Sequence, residues 1–303
     1  FLQDNYIIGV DATEQKIIML DIITMTILSE LQHPLIYGII NTFIVYKDYW
    51  LLVGTDKGVL TLWDLRFKII VKSWHVKNNE NNEKLGSINN LELLSNSIKL
   101  FETKNDGGSS AYFALSGNDD ISIWELPSLE CKAILRTSNA VMNSSSIMKY
   151  SLMEYKDDGN DDELFIEKII DDIELDIDHE YDRKLNLNVL TMKFFQFNTN
   201  NNNNNVDYLM CSTGSNRVIL FNLTSIQDSV VLKSDNTMFN TRYYNNVVII
   251  DPVFANDQTL LNGTTKTNTY NVVKLVDHLF EPFHMIITID RNNCVKLYKA
   301  ANC

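Results

Sequence analysis

The 303-residue chain reads as an all-β repeat fold of short antiparallel sheets that cover one another's faces. Three observations predict this. One apolar pattern recurs five times, and the copies align around their hairpins without a gap. Each copy is two short apolar runs joined by a turn rich in Gly, Asn and Asp, the signature of a β-hairpin. The runs are apolar on both faces, which suits strands covered on both sides rather than a half-exposed sheet.

The copies are anchored on Trp63 of LTLWDL, with Leu20, Trp124, Phe221 and Tyr298 as its counterparts. An apolar residue stands three places before each anchor (Ile17, Leu60, Ile121, Val218, Val295) and another one place before (Met19, Leu62, Ile123, Leu220, Leu297). One place after comes a mostly polar residue: Asp21, Asp64, Glu125, Asn222 and Lys299. Strand-like runs flank the hairpins, such as INTFIVYK before the second and KIIVKSW after it, so one unit is four short strands. The first copy is expected to lack its leading strand and the last its trailing one. Anchor spacings are 43, 61, 97 and 77 residues. The shortest matches the period of about 40–45 residues of a propeller blade, and the others require insertions. A single sheet that is apolar on both faces cannot stand alone, whereas sheets stacked radially about an axis cover each other. The expectation is therefore a β-propeller, with blade cores at about 6–30, 38–76, 87–136, 189–233 and 270–299. Trp63 and Trp124 are expected as packing residues between blades, because large aromatics usually serve the core.

Three segments interrupt the repeats. Residues 151–185 form an acidic insertion: fourteen carboxylates and two lysines fall within 154–182, so this stretch carries nearly all of the net charge of −13. Ile166, Ile169, Ile170, Ile173 and Ile177 have helical spacing, while Ile173, Leu175 and Ile177 alternate with acids as an edge strand would; both readings stay open. A calcium loop starting at Asp157 fails, with Asp162 where Gly is required and Lys168 where Glu is required. The six-Asn tract 200–205 reads as a flexible loop tip between two strands. Residues 233–270 read as a long loop, and with the acidic insertion they are the expected partner contacts.

The charge balance argues against nucleic-acid binding, which needs clustered Lys and Arg. Cys131, Cys211, Cys294 and Cys303 lie far apart, which excludes a zinc ribbon or disulfide framework and suits reduced thiols. No apolar run is long enough for a membrane helix. The chain opens on Phe1 without a basic leader, so it reads as a piece of a longer protein without a signal peptide. Triplets of the N-x-S/T type occur at Asn143, Asn222 and Asn262 and carry little weight.

No catalytic constellation is found. His33, His75, His179, His278 and His284 have no metal-binding spacing. There is no GxSxG elbow, no phosphate-binding Gly-rich loop and no kinase catalytic run. The carboxylates of 157–182 have no apolar pocket to tune them. No cofactor, metal or catalytic residue is expected. The residues singled out are structural anchors: Leu20, Trp63, Asp64, Trp124, Phe221 and Tyr298.

The strings WLLVGTDKGVLTLWDLRFKII (50–70), LSGNDDISIWELPSLECKAIL, YLMCSTGSNRVILFNL, TRYYNNVVII (241–250) and IITIDRNNCVKLYK resemble, in this order, successive blades and the long loop of one family. It is the C-terminal WD-repeat domain of the regulatory subunit of the class III phosphatidylinositol 3-kinase, a protein-kinase-like scaffold of vacuolar protein sorting. The similarity runs with gaps over most of 6–299 and leaves out 151–185 and the Asn tract. It implies a seven-bladed ring, of which five repeats are visible, so about two blades are expected upstream of Phe1. It also implies a non-catalytic scaffold that docks the coiled-coil subunits of the lipid-kinase complex in autophagy and endosomal sorting. The implied partners are the lipid-kinase catalytic subunit, those coiled-coil subunits and a G-protein α subunit. The implied location is peripheral, on endosomal, Golgi or autophagosomal membranes through the parent complex. The kinase-like domain belongs to a part outside this chain. An alternative reading is a substrate receptor of a ubiquitin ligase, for which WDLR (Trp63–Arg66) fits the ending that docks ligase adaptors. A propeller glycosidase would need a carboxylate pair at the central funnel, and no repeat column supplies one.

Overall fold

The computed structural model describes residues 2–3, 6–11, 13–47, 49–78, 83–84, 87–94, 98, 111–117, 120–126, 128–137, 150–154, 189–199, 204–213, 217–231, 237–244, 247–254, 272–279, 285–290 and 295–299. Apart from two single-turn 3-10 segments, Leu35–Tyr37 and Ile226–Asp228, their regular structure is all β. The chain divides into two compact units, Phe1–Leu93 with Ile147–Asp172, and Leu94–Ser146 with Ile173–Cys303.

In the first unit, β1 (Leu2–Gln3), β2 (Tyr6–Asp11), β3 (Lys16–Asp21) and β4 (Ile27–Gln32) form one antiparallel sheet in chain order. β1 corrects the expectation that this copy lacks a leading strand: Leu2 and Gln3 pair with Ile7 and Tyr6. A second sheet holds β5 (Ile40–Tyr46), β6 (Trp50–Thr55), β7 (Val59–Asp64) and β8 (Ile69–Asn78), with β9 (Glu83–Lys84) paired to β8. β10 (Asn90–Leu93) follows, and the Leu91 amide donates to Thr42 Oγ1.

In the second unit, β11 (Ala111–Ser116), β12 (Asp120–Leu126) and β13 (Cys131–Arg136) continue the pattern. β14 (Tyr150–Glu154) belongs to the first unit, where it pairs with β8. The second unit also holds the sheet β15 (Val189–Thr199), β16 (Asn204–Thr213), β17 (Val218–Asn222) and β18 (Val230–Val231). β19 (Thr237–Tyr244) and β20 (Val247–Phe254) form a hairpin, and β21 (Val272–Leu279), β22 (Met285–Asp290) and β23 (Val295–Lys299) form a three-stranded sheet.

Two expectations are corrected here, for the long loop and the Asn tract, while the helical and edge-strand readings of 166–177 lie outside the described residues. The long loop 233–270 contains the hairpin β19–β20, and β20 joins the outer side of β13 in parallel register, Val248 to Ile250 against Ala133 to Leu135. Val247–Ile250 is β-branched throughout, which favours extended backbone, and pairing with β13 buries Val248, Ile249 and Ile250. The acidic insertion 151–185 starts as strand β14, and its remainder, 155–185, lies outside the described residues. The Asn tract is in part strand: Asn204 and Asn205 pair with Thr199 and Asn198, because the β15–β16 ladder carries its register outward past Phe197–Val206.

The hairpins repeat in fine detail. The ladder slips by one residue at the anchor column in the first three copies, between Met19 and Leu20, Leu62 and Trp63, and Ile123 and Trp124. Each slip is a β-bulge, which leaves one residue of the following strand unopposed and increases the local twist. At the turn between the second and third strands, Gln15 and Gly58 hold equivalent left-handed positions, at φ 56° and 72°. Their carbonyls accept from the equivalent amides of His33 and Val76, at 2.9 and 3.0 Å.

Among the described residues, each unit holds a hydrophobic cluster. In the first, Ile8, Ile17 and Leu31 of one sheet pack with Val45, Leu51, Val53 and Trp63 of the next. In the second, Ile121, Ile123, Leu209, Ile219, Phe221 and Ile250 form the centre of a larger cluster. Gly54 lies where backbone meets side chain: an added Cβ would stand 2.6 Å from Ile88 Cγ2 and 3.1 Å from Thr42 Cγ2. Ile88 is fully buried, so it has nowhere to move. Gly54→Ala is expected to destabilise the first unit by about 1–3 kcal/mol through overpacking. Urea unfolding of wild type and variant checks this.

Candidate interaction surface

The anchor column serves packing and turn geometry. Trp63, Trp124 and Phe221 are buried, Leu20 is half-buried, and Tyr298 lies in β23 with its backbone opposite Ile286. Trp124 Nε1–H donates to Ser122 Oγ at 2.8 Å. Trp63 has Thr61 at the same spacing, yet Trp63 Nε1 and Thr61 Oγ1 are both buried and without a hydrogen-bond partner among the described residues. His33 stands close by, its ring 6.1 Å from Trp63 and 5.8 Å from Tyr37. It is fully buried, its ring nitrogens are unpaired among the described residues, and burial pushes its pKa down to about 4. His33 is therefore neutral at pH 7.

In four copies the polar residue after the anchor caps the next turn. Asp21 Oδ1 accepts from the amides of Ile23 and Thr24 at 2.9 and 2.7 Å. Asn222 Oδ1 accepts from those of Thr224 and Ser225 at 2.9 and 2.8 Å. Asp64 Oδ1 accepts from the Arg66 amide at 2.9 Å, and Glu125 accepts from Ser128 Oγ at 2.9 Å. These short side chains mimic a backbone turn, which is why Asp and Asn recur there. In chain order, the first three of these turns also share a residue at positive φ: Met25, Lys68 and Leu129, at 54°, 58° and 57°. Since Asn222 is buried and spent on its turn, its triplet is a structural one.

Arg66 is held within its own turn. Its Nε–H and Nη2–H donate to Asp64 Oδ1 and Oδ2 at 3.0 and 2.6 Å, and its guanidinium lies 3.7 Å from the Tyr49 ring centre. Its hydrogen bonds to Asp64 hold that carboxyl below the usual range. The WDLR string thus acquires a local structural role. The thiols of Cys131 and Cys211 are pushed up to about 12 by burial, which makes them poor nucleophiles. No group of three or more His, Cys, Asp or Glu among the described residues could hold a metal ion. No helix among them is long and apolar enough to cross a membrane. His179, His284, Cys294 and Cys303 lie outside the described residues.

What remains is surface, and in the first unit it is unusually apolar. The 3-10 turn between β4 and β5 presents Leu35, Ile36 and Ile39, with Leu35 66% exposed. This loop is rigidly pinned. The Ile39 amide donates to Asp56 Oδ1 at 2.6 Å, Thr55 Oγ1–H donates to Tyr37 O at 2.7 Å, and Lys57 Nζ reaches the carbonyls of Leu35 and Ile36 at 3.4 Å. Gly38 completes it at φ 100°, where any Cβ would meet the Asp56 carboxylate and Lys57. At the opposite end of these sheets, Ile23, Met25, Ile27 and Leu28 flank the turn into β4, and Phe67, Ile69 and Val71 flank the equivalent turn into β8. Apolar groups held outward on a fixed scaffold are what recognition surfaces use. Composition signalled the apolar residues but not their exposure, since period-2 patterning is blurred when most strand positions are apolar.

These features define a WD-type repeat domain, a class whose family members differ in their surfaces more than in their sheets. No family model matches the chain. The chain is related to the VPS15 serine/threonine-protein kinases. It is 44% identical over 63 residues to a putative serine/threonine-protein kinase VPS15 of Komagataella pastoris, covering 20% of this chain and 5% of that protein. It is 34% identical over 113 residues to the vps15 kinase of Schizosaccharomyces pombe, covering 37% and 6%. It is 31% identical over 90 residues to that of Arabidopsis thaliana, covering 30% and 6%. The chain thus spans less than a tenth of the length of these relatives. A chain in a crystal structure of the mitotic checkpoint complex overlaps at TM-score 0.48 with 10% identity, over 99% of this chain and 60% of that one; so low an overlap adds nothing to the assignment.

Proposed function

We propose that this chain is a non-catalytic interaction scaffold within a class III phosphatidylinositol 3-kinase regulatory subunit. Its sheets would stand as blades of a seven-bladed propeller, five of them within these residues. In this reading the domain docks the lipid-kinase catalytic subunit and the coiled-coil subunits that direct the complex to autophagy or to endosomal and vacuolar sorting. A G-protein α subunit is a further candidate partner. The complex would bring the domain to endosomal, Golgi or autophagosomal membranes as a peripheral component. The observation that carries the scaffold reading is the rigidly pinned apolar loop Leu35–Ile39, because an outward apolar cluster costs solubility unless a partner covers it. The VPS15 relationship supplies the choice of complex.

The test is co-purification with the lipid-kinase and coiled-coil subunits. Leu35→Asp with Ile39→Asp, placed in the full-length protein, is expected to lower recovery of those subunits at least tenfold, with the melting temperature unchanged. Full recovery of the complex after deletion of the whole domain would remove the scaffold reading.

A further inference from the structure

The outer strands of four sheets are equivalent by position in the repeat: β4, β8, β13 and the two-residue β18. Two of them are extended by a further strand from elsewhere in this chain. β14 lies antiparallel on β8 along Trp74–Asn78, and β20 lies parallel on β13 along Ala133–Leu135. Among the described residues, nothing pairs with the outer side of β4 or of β18, and of the two edges only β4 is long enough to template a strand, at six residues against two. At the start of β4, Ile27 and Leu28 are 54% and 52% exposed.

An uncovered edge offers unpaired amides and carbonyls to any extended chain, and proteins normally blunt such edges with charged side chains, Pro, a bulge or a covering segment. β4, with the sequence ILSELQ, carries no Pro, and its one charged side chain, Glu30, is paired with Lys16. Its bulge is confined to Leu28, between the Met19–Ser29 and Leu20–Ile27 pairs. The run Ser29–Leu31, equivalent to the part of β13 that β20 covers, is left regular. The charge around this edge is acidic. Asp21 stands at one end and Glu14 at the other, where Gln32 Nε2–H donates to the Glu14 carbonyl at 2.9 Å. Glu30 lies on β4 itself. The local cation, Lys16, is already shared between Glu14 and Glu30.

We propose that β4 is a strand-addition site: an extended segment of a partner protein, β-branched at its centre and flanked by Lys or Arg, pairs along Ser29–Leu31 as a fifth strand. Backbone pairing supplies the affinity, Ile27 and Leu28 supply apolar contact, and Asp21, Glu14 and Glu30 select basic flanks. This deepens the scaffold reading and rests on it, but it concerns a different surface from the Leu35–Ile39 loop. Its failure would leave the co-purification result of the loop variant standing.

The test uses the full chain and a synthetic octapeptide, two lysines on either side of Val-Val-Ile-Ile, the sequence of Val247–Ile250. At saturating peptide, hydrogen exchange at the Ser29–Leu31 amides is expected to slow at least tenfold. The same peptide N-methylated at alternate amides, which keeps its charge and apolar groups but loses its donors, should give no slowing. Leu28→Lys with Glu30→Lys should weaken binding at least tenfold at an unchanged melting temperature, and Glu30→Lys alone serves should the double variant fold poorly. The proposal is overturned if exchange is unaffected, if the N-methylated peptide or a preformed amphipathic helix protects equally, or if β4 in the free protein is already as protected as β13.

Discussion

Trp124→Ala is expected to destabilise the protein by about 3–5 kcal/mol, the usual cost of emptying a large buried aromatic site. Trp124 is among the largest fully buried side chains, and its ring nitrogen is satisfied by Ser122. The variant therefore loses packing and also leaves a buried hydroxyl without its donor. Leu20→Ala at the equivalent position should cost clearly less, because Leu20 is only half-buried. Chemical denaturation of both variants in the same background measures the contrast. Equal, small losses would mean that the anchor column does not carry packing.

His33 sets the second large effect, and it depends on pH. In the unfolded chain its pKa is near 6.5, and in the folded chain about 4. As pH falls below 6.5 the unfolded state takes up a proton that the folded state refuses, so stability is lost between pH 6.5 and 4 and levels off below. The loss is expected to reach about 2 kcal/mol by pH 5 and about 3 kcal/mol by pH 4. Carboxylates titrate in the same range, so the quantity to measure is the difference between wild type and His33→Asn at pH 7.5 and pH 5. The difference should shrink or change sign in favour of the variant on acidification. A gap that stays constant across that range would show that His33 is not held neutral.

Much of the architecture was legible because the repeat repeats chemistry. The alternation of two apolar runs and a polar turn located each hairpin, and the polar column after the anchor proved to be a turn cap in Asp21, Asp64 and Asn222. What escaped was long-range pairing. Nothing in Val247–Ile250 names β13 as its partner, more than a hundred residues earlier in the chain, and Tyr150–Glu154 similarly gives no sign of β8. Both pairings depend on which edge is left open in three dimensions. The same limit hid the candidate surface. Ile27 and Leu28 have the composition of core residues, yet they flank the turn into β4 and are exposed, as Ile69 and Val71 are at the equivalent turn into β8. Arg66 read as a docking signature, whereas Asp64 two residues earlier and Tyr49 in the β5–β6 turn already hold it.

The most direct test of the scaffold account is a cryo-electron microscopy map of the full-length protein bound to the lipid-kinase and coiled-coil subunits. The account predicts these four-stranded sheets fanned about a common axis, with partner density against the Leu35–Ile39 loop. Sheets stacked as a two-layer sandwich, or a complete complex in which no subunit touches this domain, would contradict it.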